Sequence, residues 1–542
     1  MAMKMEKAAF PGLLLLLTVF YLLLFHVKSG YYVDELWTYG LSNSYYQPFL
    51  YESDGYLGAW HGPEFFLDYL ATNDASRFSF DSVWYNQAAD VHPPLYYSLL
   101  HLLSSLFPGV FSKWFALLLN LLFFLGTEVI LYRFGRELFP EIRFFPYVPM
   151  ILYGFGAAGI STTLYIRMYA ALTFFGVSLL YVAYTGLIKK EARKKSGKFR
   201  TALLILMITA LGQLTQTTFV IYAFFVLGSS CVYLLFRKDY KQILLCVLSS
   251  CGGLLLAVLC FPAMLHQIFG GVGADVDAVA LRSQGLTACL KHLGLYYEAV
   301  FRNLFADGCP AQILYPVTIL FLGIAIWVTA LCLHKKTLNS SAILLDLTVL
   351  LSAFCYFVIV AMLNSGIAER YMYMIYPLLI LYPAQILYRI FLLCSTGKKP
   401  CPEYIVFLGI LLITVFAGCL QASRLKDEIV VDGYTEAKAR LQSEFPDVKA
   451  VFIESTPHLV IEDTELLSLH GETFTTRADA LTDPEVLGTV LSDLKGDRRL
   501  LVYSSTPLEE NLKAYVMTFV GAGSEELIYH GEHTYLYLFS AP

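Results

Sequence analysis

Long uncharged apolar runs recur along most of this 542-residue chain, and they constrain its fold more than any other feature of the sequence. Hydrophobic residues make up 57% of the chain and charged residues only 15%. A soluble domain usually carries about a quarter charged residues. A helix needs roughly 20 apolar residues to cross the hydrocarbon core of a bilayer. The sequence therefore predicts a polytopic membrane protein and excludes an ordinary soluble domain.

Eleven runs are predicted to span the membrane. They lie near 8–27, 114–132, 145–164, 168–187, 201–216, 218–236, 242–262, 312–333, 342–363, 371–393 and 403–421. The first is expected to stay uncleaved, because no small-residue cleavage site follows it. The division of adjacent runs such as 201–236 is open.

Charge placement predicts the orientation of these spans. With the N-terminus inside, the inner segments hold 20 of the 28 Lys and Arg residues that precede position 422. Seven of these lie in "IKKEARKKSGKFR" (188–200). Lys and Arg are enriched in cytoplasmic loops, so this bias fixes the orientation. The outer side then holds the loop 28–113, the loop 263–311 and everything after about residue 422.

The tail after residue 421 differs from the rest of the chain. It carries 10 Lys and Arg against 21 Asp and Glu, a balance of −11, whereas the preceding part carries +6. "YTEAKARLQSEF" and "DPEVLGTVLSDL" predict helices, the second with Asp483 before Pro484 as its N-cap. "KAVFIES", "RLLVYSS" and "HTYLYLF" predict strands. We therefore predict a membrane domain over 1–421 and a small extracytoplasmic α/β domain over 422–542.

The 11 cysteines, all between positions 231 and 419, give little guidance. No pair has the spacing of a zinc finger or a redox motif. Only Cys289 and Cys309 fall in a predicted outer loop, and a disulfide between them is left open.

Polar side chains gather in four clusters at the predicted outer ends of the spans. These clusters are Asp34 and Glu35 in "YYVDELWT" (31–38); Asp90, His92 and Tyr96 in "ADVHPPLYYSLLH" (89–101); Arg167 and Tyr169 in "TLYIRMYAAL" (163–172); and Glu369, Arg370 and Tyr371 in "GIAERYMYMIYP" (366–377).

Each cluster taken alone has an ordinary structural explanation. Asp34 and Glu35 could form a solvated cap after the first span, and His92 could lie in a turn that starts a helix at the following prolines. The arginines could snorkel to the interface, and the tyrosines could belong to the aromatic belt. All four clusters nevertheless fall on one side of the predicted membrane, up to 337 positions apart. This shared side favours a common function.

A phosphorylated membrane lipid would account for the four clusters together. Arginine forks bind phosphate oxygens through charge-assisted hydrogen bonds. Carboxylates can deprotonate an incoming hydroxyl or amine, or hold a divalent metal against the phosphate. This combination predicts transfer of a sugar from a lipid-phosphate carrier.

The same motifs resemble those of the polytopic glycosyltransferases of the GT-C superfamily. "DE" after the first span, "HPPLYYSLLH", "RMYAAL" and "ERYMYMIYPLL" carry the resemblance, which covers roughly residues 8–395. It is nearest to bacterial proteins similar to protein O-mannosyltransferases and lipid A aminoarabinose transferases. The resemblance implies a mainly α, GT-C-like bundle of about 11 spans, a polyprenyl- or dolichyl-phosphate sugar as donor, and inversion at the anomeric carbon.

The resemblance also implies roles for single residues. Asp34 matches the usual catalytic base, with Glu35 beside it. The region of His92 matches one near the carrier phosphate, and Arg167 matches a substrate-side arginine. Many such proteins carry a His-Tyr or His-Phe pair where this chain reads "LTQTTF", with Gln216 in place of the histidine. Glutamine is a poor metal ligand, so a divalent metal, with Glu35 and His92 as its candidate ligands, is left open.

The sequence thus predicts an integral membrane glycosyltransferase, multi-pass in the cell membrane, that moves a hexosyl or pentosyl unit from a polyprenyl-phosphate donor. The acceptor is a glycan, lipid or protein at the outer face, and no nucleic acid is expected as a partner. Asp34 and Glu35 are the predicted catalytic residues. The predicted substrate-binding residues are Asp90, His92, Tyr96, Arg167, Tyr169, Gln216, Glu369, Arg370 and Tyr371.

The main alternative is a transporter or flippase of lipid-linked sugars. Such a protein is expected to have polar residues near the bilayer midplane and broken helices in paired halves. The spans of this chain are mostly clean apolar runs with polar outer ends, which favours transfer. A non-catalytic sensor would leave the four clusters unexplained.

Overall fold

A computed structural model describes residues 2–189, 195–269, 276–305, 311–336, 338, 340–395, 403–424, 431–477, 492, 494 and 497–541. The helices are α1 (Ala2–Val27), α2 (Val33–Asn43), α3 (Pro63–Leu70), α4 (Phe80–Ala89), α5 (Leu95–Ser105), α6 (Lys113–Leu138), α7 (Val148–Gly154), α8 (Ala157–Leu164), α9 (Tyr169–Ala183), α10 (Lys195–Thr215), α11 (Phe219–Phe236), α12 (Tyr240–Cys260), α13 (Ala263–Phe269), α14 (Val276–Ser283), α15 (Leu286–Phe305), α16 (Ala311–His334), α17 (Ser340–Leu363), α18 (Tyr376–Ser395), α19 (Glu403–Arg424), α20 (Tyr434–Glu444), α21 (Val460–Leu467) and α22 (Glu510–Val520). The strands are β1 (Ala59–His61), β2 (Ala450–Glu454), β3 (Thr473–Arg477), β4 (Arg499–Ser504), β5 (Ser524–His530) and β6 (Tyr535–Ser540).

Nine helices in these ranges are long and apolar enough to cross a membrane. They cover Ala9–Val27, Lys113–Leu138, Tyr169–Ile188, Gly197–Thr215, Phe219–Phe236, Tyr240–Cys260, Gln312–His334, Ser340–Leu363 and Glu369–Leu393. These nine coincide with nine of the eleven predicted spans. The predicted fold class, a mainly helical membrane bundle with a small sheet near the C-terminus, is confirmed.

The other two predicted spans look different in the structure. The span predicted at 145–164 is wrong as a single helix, because α7 ends at Gly154 and α8 begins at Ala157. Glycines allow this break, since a Cβ on Gly159 would lie only 2.3 Å from the carbonyl oxygen of Tyr153. The span predicted at 403–421 forms α19, whose described apolar stretch, Leu411–Leu420, is shorter than the nine.

The chain divides into two compact units. The membrane unit comprises Met1–Phe25, Val91–Tyr96 and Leu117–Arg424. Inside it, α9 packs against α10, α11 and the 3₁₀ helix Glu369–Ile375. A buried ion pair joins α17 to α18, where Arg389 Nη2 lies 2.6 Å from Asp346 Oδ2.

The extramembrane unit comprises His26–Asp90, Tyr97–Ala116 and Leu425–Pro542. Its six-stranded mixed sheet has the order β1-β3-β2-β4-β6-β5. Strand β2 runs parallel to β3 and β4, whereas the remaining pairs are antiparallel. A cluster of buried apolar side chains on β2, β3, β4, β6 and α22 forms the core of this unit.

One edge of this sheet comes from the segment 28–113 rather than from the tail. Ala59 in β1 pairs with Thr475 in β3, and the amide of Gly58 donates to the carbonyl of Thr475 at 2.8 Å. Helix α21 of the tail packs against α2 and α3. The tail therefore shares its sheet and its packing with residues far upstream. The boundary drawn at 422 stays a prediction.

Several predicted elements of the tail are confirmed. "YTEAKARLQSEF" forms α20, and "KAVFIES", "RLLVYSS" and "HTYLYLF" form β2, β4 and β6. Strands β3 and β5 were not predicted. The predicted helix at 483–494, with its cap at Asp483, lies almost entirely outside the described residues, as does Cys309 of the proposed disulfide.

Candidate active site

The two adjacent acids, Asp34 and Glu35, lie in the first turn of α2 in the extramembrane unit. Glu35 is fully buried, and its Oε1 lies 3.1 Å from Nζ of Lys28, whose side chain is also buried. Its Oε2 accepts the backbone N–H of Tyr32 at 3.0 Å, which closes a capping box. Asp34 is 8% exposed, whereas Glu35 is 0% exposed. Of the two acids, only Asp34 keeps contact with solvent.

Asp90, the third predicted acid, ends α4 in the same unit. Its amide donates to the carbonyl of Asn86 at 3.1 Å, and its side chain is partly exposed. Burial raises the pKa of the Tyr51 phenol, and the nearby charges of Glu52 and Asp90 raise it further. Asp90 therefore contributes negative charge close to Tyr51.

His92 and Arg167 come together in the membrane unit. Arg167 Nη2 lies 3.4 Å from Nδ1 of His92 and 3.5 Å from its Nε2. The backbone around Arg167 is fixed by its own N–H, which donates to the carbonyl of Tyr165 at 2.8 Å. Two of the predicted clusters, 75 positions apart, thus meet at one place.

Tyr96 connects the same segments through an asparagine that the sequence analysis missed. Its hydroxyl donates to Oδ1 of Asn120 at 2.8 Å. The amide of Asn120 donates to the carbonyls of Thr163 and Tyr165 at 3.1 and 2.9 Å. Asn120 is a lone amide inside the apolar helix α6, and a polar residue within a span is the signal that could have identified it.

Arg370 lies among aromatic rings of the membrane unit. Its guanidinium carbon is 5.9 Å from the ring centre of Tyr165 and 5.4 Å from that of Tyr371. Tyr169 contacts Tyr371 with ring centres 6.4 Å apart. The hydroxyl of Tyr356 donates to the carbonyl of Tyr371 at 3.1 Å and so fixes this turn. Tyr165 therefore contacts Arg370 through its ring and Arg167 through its carbonyl, although it was not among the predicted site residues.

The last two predicted residues, Gln216 and Glu369, have separate surroundings. Gln216 is buried just after α10, and its Oε1 accepts the amide of Thr217 at 3.0 Å. Glu369 begins the 3₁₀ helix that carries Arg370. Burial raises the pKa of Tyr296 to about 12. A backbone hydrogen bond from Ala368 lowers this pKa, whereas the nearby charge of Glu369 raises it.

No group of three or more His, Cys, Asp and Glu side chains that could hold a metal ion occurs within the described residues. Glu35 already pairs with Lys28, and the guanidinium beside His92 disfavours a second cation there. The divalent metal stays an untested prediction.

No protein-family model matches this sequence, and no curated protein matches it. Among solved structures, ArnT from Cupriavidus metallidurans bound to undecaprenyl phosphate aligns over 98% of this chain and 98% of its own, with a TM-score of 0.52 and 11% identity. The apo state of ArnT gives the same coverage, a TM-score of 0.51 and 12% identity. This chain has the GT-C fold of ArnT.

ArnT is a lipid A aminoarabinose transferase of the GT-C superfamily. An oligosaccharyltransferase from Archaeoglobus fulgidus, tethered to an acceptor peptide, aligns over 76% of this chain and 60% of its own at 11% identity, but its TM-score of 0.39 is too low to add to the argument. The ArnT fold and the apolar helices together make this chain a multi-pass membrane protein. The structural alignment with ArnT, at 11–12% identity, shows the fold alone.

Proposed function

We propose that this chain is a membrane glycosyltransferase that moves a sugar from a polyprenyl-phosphate donor to an acceptor at the outer face of the membrane. The observation that carries the proposal is the cluster of Arg167, Arg370 and their aromatic and imidazole neighbours in a chain with the ArnT fold. One of the two ArnT structures contains undecaprenyl phosphate, a lipid phosphate of the class that the proposed reaction would release from its donor.

The two arginines suit the departing lipid phosphate. A guanidinium binds an aromatic ring through its face and an anion through the N–H groups at its edge. Arg370, over two tyrosine rings, can therefore use its edge for phosphate oxygens without leaving them. Arg167, held by the Tyr165 carbonyl and next to His92, would supply a second cation to the same phosphate.

Asp34 is the proposed general base. It would take the proton of the acceptor hydroxyl or amine while that oxygen or nitrogen attacks the anomeric carbon. The bond from the anomeric carbon to the phosphate oxygen breaks with its electron pair on the phosphate, and charge develops on the sugar as an oxocarbenium-like species. Asp34 is favoured over Glu35 because Glu35 is fully buried against Lys28, whereas 8% of Asp34 is exposed to solvent.

We further propose that the N-terminus is cytoplasmic and that the extramembrane unit lies on the outer side. The excess of Lys and Arg in the predicted inner segments supports this orientation. The proposal specifies the transferred sugar as a hexose or a pentose and the acceptor as a glycan, a lipid or a protein.

The decisive experiment uses the purified full-length protein in detergent. It is incubated with a panel of polyprenyl-phosphate sugars and an acceptor mixture, and the release of polyprenyl phosphate is measured. Donor-dependent release that requires Arg167 and Arg370 would support the proposal. A folded protein that releases none from any donor would refute it.

Transport of lipid-linked sugars is the second candidate, and two observations favour it. The helix pair α7–α8 is broken, and the ionisable groups Asp346 and Arg389 are buried on membrane-spanning helices. Broken helices and buried charge are typical of transporters. Reconstituted protein that moves a labelled lipid-linked sugar between leaflets, without releasing polyprenyl phosphate, would establish transport instead.

A further inference from the structure

Three tyrosines form an exposed platform on the extramembrane unit. Tyr45 is 54% exposed, Tyr46 is 41% exposed and Tyr85 is 53% exposed. The ring centres of Tyr45 and Tyr46 are 4.8 Å apart, and those of Tyr46 and Tyr85 are 5.3 Å apart. The platform therefore joins the turn after α2 to the middle of α4. Large exposed aromatic surfaces of this kind usually mark a binding site.

The middle ring of this platform is held in an unfavourable backbone conformation. Tyr46 has φ +51°, and a bulky side chain rarely adopts this left-handed region. Its amide donates to Oγ of Ser82 at 2.8 Å, and Ser82 Oγ donates to the carbonyl of Ser44 at 3.0 Å. Asn86 also donates to the carbonyl of Ser44 at 3.0 Å. A buried polar network thus fixes the turn that directs Tyr46 outward, and such strain recurs at binding sites.

Tyr46 is unusual among the non-glycine residues whose backbone has a positive φ. The described part of the chain has four non-glycine residues with positive φ: Tyr46, Phe78, Lys238 and Lys336. Lys238 and Lys336 lie just after α11 and α16, where a helix ordinarily ends in this conformation. Phe78, 43% exposed, lies just before α4, the helix that carries Tyr85. Tyr46 and Phe78 are therefore two exposed aromatic residues in this region whose backbone has a conformation that bulky residues rarely adopt.

A carboxylate completes the platform. The hydroxyl of Tyr46 donates a short hydrogen bond to Oδ2 of Asp81, at the exposed start of α4. This bond raises the pKa of the Tyr46 phenol to about 12 and lowers the pKa of the Asp81 carboxyl. An exposed, ionised carboxylate within the patch disfavours insertion into the hydrocarbon or contact with anionic headgroups.

We propose that Tyr45, Tyr46, Tyr85 and Asp81 form a carbohydrate-binding subsite that takes a neutral sugar ring of the acceptor. Tyrosine rings offer rigid apolar faces to the C–H groups of a pyranose, at little cost in conformational entropy. The carboxylate accepts hydrogen bonds from sugar hydroxyls, and charge assistance strengthens them. The assignment to the acceptor rests on the proposed glycosyltransferase function, whereas binding of the sugar itself does not.

Binding is measured on the full-length protein in lipid nanodiscs, with maltose, cellobiose and the N-acetylglucosamine disaccharide as probes. We expect at least one probe to bind wild type. Tyr46→Ala and Tyr85→Ala should each weaken it at least about tenfold, the effect of losing an aromatic hot spot. Tyr46→Phe should keep most of the affinity because the ring remains. Tyr515→Ala removes an exposed tyrosine of α22 and is the matched control.

Three results would overturn the proposal. The first is that no probe binds wild type, and the second is that the alanine variants bind the probe as well as wild type does. The third is that brominated lipids quench Tyr85→Trp well beyond wild type, because the platform would then lie in the bilayer. Donor turnover is measured on the same samples. Sugar binding without turnover would refute the proposed function alone, and turnover without sugar binding would refute this subsite alone.

Discussion

The charged residues of the candidate site have different surroundings in the two compact units. In the extramembrane unit, opposite charges pair, and Lys28 Nζ lies 3.1 Å from Glu35 Oε1 with both side chains buried. In the membrane unit, the arginines of the candidate site lie against rings. Arg167 lies beside the imidazole of His92, and Arg370 lies over two tyrosines.

This difference separates structural charges from charges suited to a ligand. A buried amine–carboxylate pair uses both charges to satisfy each other, so it belongs to the stability of the fold. A guanidinium stacked on a ring can still bind an anion through its edge. Within the extramembrane unit, the same reasoning separates Glu35 from Asp34, which keeps partial exposure. The following predictions test this separation.

The largest effect is expected at Asp34. Asp34→Asn removes the proposed base and should lower turnover roughly 10²–10⁴-fold, the usual cost of lost acid–base catalysis, with little change in thermal stability. The measurement is release of polyprenyl phosphate at saturating donor. Asp54→Asn, at an exposed position of the segment 28–113, is the matched control. Near-normal turnover in a folded Asp34→Asn protein would remove Asp34 from the mechanism.

Glu35 is expected to matter first for stability. Glu35→Gln leaves the Lys28 ammonium buried without its carboxylate, which should cost about 3–5 kcal/mol in the free energy of unfolding. Thermal unfolding of the full-length protein in detergent measures this loss. The double variant Lys28→Met, Glu35→Gln should recover a large part of it. A stable Glu35→Gln protein with no turnover would instead make Glu35 catalytic and contradict the comparison.

His470 shows another way in which the extramembrane unit buries an ionisable group, namely in its neutral form. Burial lowers the pKa of His470 from its ordinary 6.5 to about 4, although a hydrogen bond with the Gly471 carbonyl opposes the shift. The unfolded chain thus binds the proton first as the pH falls. Stability contributed by neutral His470 is complete above pH 6.5 and is lost between about pH 6.5 and 4, by roughly 3 kcal/mol at most.

The measurement compares acid unfolding of wild type and His470→Gln. We expect the variant to lose less stability than wild type over this pH window, because glutamine does not titrate. His530→Gln, at an exposed position, is the control and should leave the profile unchanged. Identical slopes for wild type and His470→Gln would show that His470 is not buried as a neutral group.

The smallest effect is expected from Arg167→Lys. This change keeps the positive charge but removes the planar fork, so binding of a polyprenyl-phosphate donor should weaken by about 1.5–3 kcal/mol, the value of one charged hydrogen bond. Donor affinity is measured directly by titration, without turnover. Arg77→Lys, on an exposed turn, is the control. Equal affinity of wild type and Arg167→Lys would support simple snorkelling of Arg167 to the interface.

The sequence by itself determined the membrane architecture. A bilayer offers no water to satisfy backbone groups, so an apolar run of sufficient length has to be helical, and nine predicted spans follow from length and composition. His92 and Arg167 could also be selected as candidates before any contact between them was known, because both belong to polar clusters at the predicted outer ends of the spans.

Only the tertiary structure decided which of these residues meet and what each charge contacts. β1 covers only three residues, which are too few to show the alternation of apolar and polar side chains that predicts a strand. It becomes a strand because β3, more than 400 positions later in the sequence, offers it hydrogen bonds. The break between α7 and α8 depends on close approaches that glycines permit, and composition does not reveal them. Likewise, Asp34 and Glu35 are neighbours with the same charge, and the structure separates them by their exposure and by the position of Lys28 beside Glu35. Non-local contacts of this kind depend on the packing of whole elements, and no local pattern in the chain encodes them.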